Sequence, residues 1–118
     1  MAAVLNDTRE FDWTIEQGER ERITIPVLDA DDNPYAVDGW SVDACIKTRP
    51  GGALLYRWPA NLINVDGPQI ELVVPGPVSA RWTWTEGWWR VVITAPNGPQ
   101  DDPDTYRIIQ GRLCVLPD

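Results

Sequence analysis

The sequence has no histidine, only two cysteines, and a single lysine among its ten basic residues. Without histidine the chain lacks the most common general base and the most common metal ligand of proteins. Cys45 and Cys114 are too few for a disulfide scaffold or a thiolate zinc site, and a reducing compartment favours two free thiols. We therefore expect no catalytic residue, no metal site, no cofactor and no enzymatic activity.

Long apolar runs and concentrated positive charge are also missing. No stretch approaches the roughly 20 apolar residues of a transmembrane helix, and the N-terminus lacks the regions of a secretory signal. Eighteen acidic residues give the chain a net charge of −8, which argues against nucleic-acid binding because a phosphate-reading surface needs clustered Lys and Arg. We expect a protein made in a cytoplasm that binds neither nucleic acid nor membrane.

Apolar residues recur at every second position in several segments, which is typical of β-strands separated by turns rich in Pro, Gly, Asn and Asp. The one helical candidate is a single turn near 77–82, opened by Pro77. These features predict a single all-β domain over 1–118, a two-sheet sandwich of about seven antiparallel strands. The predicted strands are FDWTI (11–15), RITIPVL (22–28), SVDACIK (41–47), ALLYRW (53–58), QIELVV (69–74), WWRVVIT (88–94) and YRIIQGRLCVL (106–116).

The segment DADDN (29–33) has the alternating Asp and Asn spacing of a calcium-binding loop. However, Pro34 stands where such a loop has its sharp-turn glycine, and Trp40 stands where it has its bidentate glutamate. We therefore expect a turn between two strands, in which the Asp and Asn side chains bond to their own backbone.

Four of the seven tryptophans fall within RWTWTEGWWR (81–90). In an extended segment Trp82 and Trp84 face the same way, whereas the adjacent Trp88 and Trp89 face opposite sides. Trp89 is in phase with the apolar side of its strand, so the pattern assigns it to the core.

Seven indoles exceed what a domain of this size readily encloses, and tryptophan is rarely fully buried. We assign Trp13 to the core with Trp89 and expect some of the other five to be partly exposed. Local packing is one interpretation of these five, a protein interface with neighbouring arginines is another, and a sugar-stacking platform of Trp82, Trp84 and Trp88 is a third. The candidate interface residues are Trp40, Arg57, Trp58, Arg81, Trp82, Trp84 and Trp88.

The order of segments resembles that of the β-sandwich in upper baseplate proteins and related tail components of tailed bacteriophages. Four stretches carry the resemblance: DTREF to RPGG (7–52), INVDGPQIELVVP (63–75), SARWTWTEGWWRVVITAPNG (79–98) and YRIIQGRLCVLP (106–117). The resemblance implies an immunoglobulin-like sandwich that builds a virion and catalyses nothing. Because the sequence ends at Asp118, we expect scaffolding and not host recognition by a further extension.

On this resemblance we expect a virion protein made in the cytoplasm of a bacterial host, most readily a minor tail or baseplate subunit. Its partners would be other virion structural proteins, with multiple copies in a symmetric assembly. Two alternatives stay open: a capsid accessory or decoration protein, and a carbohydrate-binding module that uses exposed tryptophans.

Overall fold

The computed structural model describes residues 2–5, 7–96 and 104–117, and in these ranges ten strands form two sheets. Seven of the strands are the predicted ones, so the all-β prediction of a two-sheet sandwich is confirmed. The strands are β1 (Ala3–Val4), β2 (Arg9–Glu10), β3 (Trp13–Glu16), β4 (Glu21–Leu28), β5 (Ser41–Lys47), β6 (Leu54–Arg57), β7 (Ile63–Asp66), β8 (Gln69–Val74), β9 (Glu86–Thr94) and β10 (Thr105–Leu116).

Both sheets are mixed, which corrects the prediction of purely antiparallel strands. The smaller sheet has the order β1-β4-β8-β7, and its β1 runs parallel to β4. The larger sheet has the order β2-β10-β9-β5-β6, and β3 also pairs with β10. Both β2 and β3 run parallel to β10, one after the other along the same side of it. Strands that run parallel side by side need a long connection. For β2 and β3, most of the chain lies between them and their partner β10.

The core lies between the sheets and follows the two-residue period of the strands. Ile23, Ile25 and Val27 point inward from β4, and Trp89 and Val91 point inward from β9. They belong to one apolar cluster that draws on strands of both sheets. Fully burying one such side chain stabilises the fold by about 1.5–3 kcal/mol, so this alternation is what fixes which face of each strand turns inward.

A short helix and a glutamine hold the crossing from the smaller sheet to the larger one. The helix, α1 (Gly76–Ser79), has proline in its first turn and lies at the start of the predicted helical turn. The side-chain amide of Gln17 donates to the carbonyls of Ser79 (3.1 Å) and Trp82 (2.9 Å). Because Gln17 follows β3, these bonds fix residues 79–82 against the β3–β4 turn.

A 3-10 turn at Ala60–Leu62, which the sequence pattern did not predict, links β6 to β7. Among the residues described, no helix has the length and apolar character that crossing a bilayer requires.

The DADDN segment forms the predicted backbone-bonded turn. The carboxylate of Asp29 accepts hydrogen bonds from the N–H groups of Asp31 (2.9 Å) and Asn33 (3.0 Å). Asp32 has φ of 63°, in the left-handed region that Asp tolerates better than most residues. The Asp29 side chain is thus used in shaping the loop between β4 and β5.

Candidate interaction surfaces

The structure separates the seven candidate interface residues into four places. Trp58, Trp82 and Trp84 join a chain of aromatic rings that enters the core. Arg57 and Trp88 lie on the outer face of the larger sheet, and Trp40 lies at one end of the sandwich. Arg81, which directly precedes Trp82, is exposed.

The aromatic chain runs from the surface to the centre of the core. Trp84 stacks on Trp82 with ring centroids 4.6 Å apart, and Trp82 contacts Tyr56 at 5.2 Å. Tyr56 contacts Trp58 at 5.2 Å. Trp58 stacks on Trp13 at 6.0 Å, and Trp13 meets Trp89 edge-on at 5.3 Å. Each such pair contributes about 0.5–1.5 kcal/mol beyond the burial of its area, so the chain stabilises this side of the sandwich.

Trp58 is a core residue and not an exposed anchor, which corrects its place among the candidates. Its side chain is 3% exposed, and its indole N–H donates to the carbonyl of Val73 at 3.0 Å. Adjacent residues of an extended chain face opposite sides. Arg57 points outward to an ion pair with Asp43, so Trp58 turns inward.

Trp82 and Trp84 cover each other and do not form a platform with Trp88. Both are half-buried, and one face of each indole is occupied by the other indole. Trp88 points outward from β9, since its neighbour Trp89 is fully buried. No ring contact joins Trp88 to another aromatic residue in the described part of the chain. The three residues proposed as a sugar platform are therefore not brought together.

On the outer face of the larger sheet, basic side chains flank Trp88, and acidic side chains lie on the adjacent β2 and β3 side. In the strand register Trp88 lies between Lys47 of β5 and Arg112 of β10. Side chains opposite each other on neighbouring strands have Cβ atoms about 4.5–5.5 Å apart, so both cations flank the indole. We call this surface the Trp88 face; its residues are Lys47, Arg57, Trp88, Arg90, Arg107 and Arg112.

Two ion pairs share Asp43 on one side of the Trp88 face. The carboxylate of Asp43 lies 3.2 Å from Nε of Arg57 and 3.7 Å from Nη2 of Arg90. Arg57 and Arg90 stand on either side of Cys45 in the register, and Cys45 is fully buried. The two ion pairs thus connect side chains of three neighbouring strands, and Arg90 is only 16% exposed.

Aromatic rings and carboxylates occupy the end of the sandwich where β5 begins. The ring of Trp40 meets that of Tyr35 edge-on at 6.0 Å and contacts that of Tyr106 at 6.1 Å. A shallow groove of about 180 Å³ beside Trp40 is lined by Val42, Ala60, Ile63 and Val65. We call this surface the Trp40 end; its residues are Tyr35, Trp40, Val42, Ile63, Val65 and Tyr106.

The loop 29–40 and the β7–β8 turn lie beside the Trp40 end. The charged residues of these two segments are all acids. The sequence contains no Lys or Arg over 23–46 or over 58–80. The carboxylate of Asp38 accepts the N–H of Gly67 at 3.0 Å, and Val37 donates to the carbonyl of Gly67. These bonds join the loop to the turn. The acids are Asp29, Asp31, Asp32, Asp38 and Asp66.

Of the seven tryptophans, three are buried and four are half-buried. Trp13 and Trp89 belong to the core, as predicted. Trp82, Trp84 and Trp40 are covered in large part by other aromatic rings of the same chain. Much of the indole surface that a small sandwich cannot enclose is thus shielded by stacking, a tertiary arrangement that strand periodicity does not reveal.

No family model matches the chain, and no curated protein matches it. Among solved structures, the N-terminal domain of phage TP901-1 ORF48 is similar, with a TM-score of 0.57 and 7% sequence identity. The alignment covers 97% of this chain and 95% of that one. At this identity the likeness is one of fold. The two-sheet arrangement described above is therefore shared, over nearly its whole length, with a domain of a phage protein.

Proposed function

We propose that the protein is a structural subunit of a tailed-bacteriophage virion, a minor tail or baseplate protein that docks on neighbouring virion proteins. The observation that carries the proposal is the end-to-end fold likeness to the N-terminal domain of a phage protein. The segment order that resembles upper baseplate proteins supports it from the sequence alone.

In the proposed role the protein buries part of its surface against neighbouring virion proteins. A standard interface removes about 800 Å² from each partner, and Trp, Tyr and Arg contribute most of the binding energy in such contacts. The Trp88 face offers a half-buried indole among cations, and the Trp40 end offers three aromatic rings beside carboxylates. Both compositions are typical of protein interfaces, and the proposal assigns no residue a catalytic role.

The test is to locate the protein in purified particles of the phage or prophage that encodes it. We expect immunoblots to detect it in density-purified particles, and immunogold electron microscopy to place the label on the tail. Particles from a strain with a stop codon early in the gene serve as the control for antibody specificity. Label on the capsid would make the protein a decoration subunit, and its absence from particles while it accumulates in lysates would refute a virion role.

The carbohydrate-binding alternative is tested with the purified protein. Sugar stacking on a tryptophan changes its fluorescence, so titration with cell-wall polysaccharides of the host reports any such site. Because Trp82 and Trp84 stack on each other, we expect no change in fluorescence with any of the polysaccharides. A saturable change that Trp84→Phe abolishes would favour the carbohydrate-binding function.

A further inference from the structure

We propose that two Asp-Gly pairs of this chain are sites of spontaneous isoaspartate formation, and that one hydrogen bond between them keeps both unreactive in the folded protein. The pairs are Asp38 with Gly39 and Asp66 with Gly67. The carboxylate of Asp38 accepts the N–H of Gly67 at 3.0 Å. This single bond engages the carboxyl group of the first pair and the amide of the second. The inference concerns the chemistry of the backbone and does not depend on the proposed function.

Isoaspartate forms from aspartate without an enzyme. The backbone nitrogen of the following residue attacks the side-chain carboxyl carbon. A new C–N bond closes a succinimide ring, and a carboxyl C–O bond breaks as water leaves with the amide proton. Water then opens the ring at either carbonyl, which restores aspartate or gives isoaspartate, whose backbone runs through the side chain. Glycine favours the reaction because it has no side chain to obstruct the attack.

The fold requires glycine in both pairs despite this reactivity. Gly67 has φ of 57° in the two-residue turn between β7 and β8. Gly39 has φ of 79° in a turn that is closed by a 3.1 Å bond from the N–H of Trp40 to the carbonyl of Val37. Residues other than glycine rarely adopt such φ values. Since the backbone geometry imposes the reactive sequence, its protection has to come from the contacts around it.

The contacts at the β7–β8 turn restrain the attacking nitrogen. The N–H of Gly67 is bonded to Asp38, and the carbonyl of Gly67 accepts the N–H of Val37 at 2.9 Å. Ring closure needs the amide nitrogen and the aspartate Cβ on the same side of the Cα–C bond. Asp66 is extended at the end of β7, which keeps these two atoms apart. The reaction therefore requires that the bond to Asp38 break and that the Gly67 peptide turn.

The same bond restrains the carboxyl group of the first pair. While the Asp38 carboxylate is bonded to Gly67, it is not free to approach the amide of Gly39. A positive φ at the second central residue of a turn is typical of type II, in which the first central residue, here Asp38, is extended. Both Asp38 and Asp66 are exposed, so water reaches them and burial does not protect them.

The shared bond makes the second reaction depend on the first. Isoaspartate at 66 adds one carbon to the backbone at a turn that pairs Asp66 directly with Gln69. A two-residue turn has no room for the extra atom, so the Gly67 amide is displaced and the carboxyl group of Asp38 is released. We therefore expect isoaspartate at 66 to appear first and isoaspartate at 38 to follow.

The experiment is incubation of the purified protein in warm, mildly acidic buffer, with samples taken over several weeks. Peptide mapping by mass spectrometry with electron-transfer fragmentation assigns each isoaspartate to its residue. A parallel sample in guanidinium chloride gives the rates in the unfolded chain. In the folded wild type we expect both residues to react at least about tenfold more slowly than in the denaturant, as loss of a hydrogen bond to a charged group predicts. Circular dichroism checks that each folded sample is folded.

Asp38→Ala removes the acceptor of the Gly67 N–H. It should raise the rate at Asp66 about tenfold above that of the folded wild type. Asp31→Ala is the matched control, because it makes the same change of charge in the same loop and leaves Asp38 in place. It should leave the rate at Asp66 unchanged. Asp38→Asn keeps a carbonyl oxygen for the Gly67 N–H, so Asp66 should react as slowly as in the wild type.

Two further measurements test the first pair. The amide that Asp38→Asn introduces loses ammonia through the same ring closure, and a mass increase reports the loss. If the bond to Gly67 holds this side chain, deamidation should be at least about tenfold slower in the folded variant than in the denaturant. Asp66→Glu blocks the first reaction, since the larger ring closes far more slowly, and it should delay isoaspartate at 38.

Four results would overturn the proposal. The first is a folded wild type that forms isoaspartate as fast as the unfolded chain, and the second is a folded Asp38→Ala variant that reacts at Asp66 no faster than the wild type. The third is deamidation of Asp38→Asn at the same rate in the folded and unfolded states. The fourth is isoaspartate at 38 that precedes isoaspartate at 66 or forms at an unchanged rate in Asp66→Glu. Only the second requires that Asp38→Ala fold.

Discussion

The indole N–H of Trp58 donates a 3.0 Å hydrogen bond to the carbonyl of Val73, and so joins the end of β6 in the larger sheet to β8 in the smaller. The bond has a local cause. In the antiparallel ladder between β4 and β8, only every second residue of β8 bonds to β4. Pro68 has the position of a bonding residue, since its carbonyl accepts the Val27 N–H (2.7 Å). Val73 lies an odd number of residues further along, so its carbonyl points toward β7. Because β7 begins opposite Leu72, this carbonyl lies beyond the ladder, and Trp58 satisfies it.

Trp58→Phe should lower the free energy of unfolding by about 2–4 kcal/mol, because it leaves the Val73 carbonyl unpaired and a space in the core. Urea unfolding followed by far-UV circular dichroism measures the loss. Trp84→Phe is the matched control, since Trp84 is half-buried at the outer end of the aromatic chain, and we expect it to cost under about 1 kcal/mol. Equal losses would show that the cross-sheet bond has no special weight.

Gly111→Ala should be among the most destabilising single substitutions in this chain. A methyl group at Gly111 would overlap the carbonyl oxygen of Phe11, which also accepts the indole N–H of Trp89 at 2.8 Å. Backbone cannot move aside as a side chain does, so we expect a loss above about 3 kcal/mol. Gly18→Ala is the control: Gly18 has φ of 84° and open space around it, so strain alone should cost about 1–2 kcal/mol. Thermal unfolding of both variants measures the two losses of stability, and a loss for Gly111→Ala no larger than that for Gly18→Ala would contradict the prediction.

The stability of the fold should fall at alkaline pH in part through Tyr56. Burial raises the pKa of the Tyr56 phenol above its ordinary value of 10.0. The unfolded chain therefore loses this proton at lower pH than the folded chain. The stabilisation is complete below pH 10 and is lost as pH rises through the higher folded value. Tyr56→Phe should flatten the decline in unfolding free energy above pH 10, with Tyr35→Phe, at an exposed ring, as control. An unchanged slope would contradict this.

The two thiols should react at very different rates. Cys45 is fully buried in β5, whereas Cys114 is half-buried on the outer side of β10, and neither forms a disulfide. Ellman's reagent should label Cys114 first and Cys45 only as the protein opens. Cys114→Ser should remove the fast phase and keep the slow one. A fast phase that survives this substitution would place Cys45 nearer the solvent than the structure does.

What the sequence predicts well here is what depends on near neighbours along the chain. The two-residue period identified the longer strands and their inward faces, because alternation is a local property. It also placed Trp88 and Trp89 on opposite sides. Strands as short as Ala3–Val4 and Arg9–Glu10 are too brief to show a period, and their parallel pairing depends on partners far along the chain.

The candidate surfaces were predicted only in part for the same reason. Tryptophan beside arginine indicated an interface, yet an adjacent Arg and Trp in a strand face opposite sides, so an outward Arg57 implies an inward Trp58. The stacking of Trp82 on Tyr56 joins residues from different parts of the chain, and composition gave no sign of it. The acids of loop 29–40 and the arginines of β9 and β10 are visible in the sequence, but which side chains share a face required the strand register.

The pairing of β2 and β3 with β10 has a consequence for biosynthesis. Leu113 lies beside Trp13 and Ile109 beside Arg9, so the opening segment has no partner in its sheet until the ribosome has extruded β10. Folding must wait for late residues, and closing so long a loop is slow. In the interval the tryptophan-rich strands are exposed to the cytosol, where chaperones that shield apolar segments would decide the yield of usable protein.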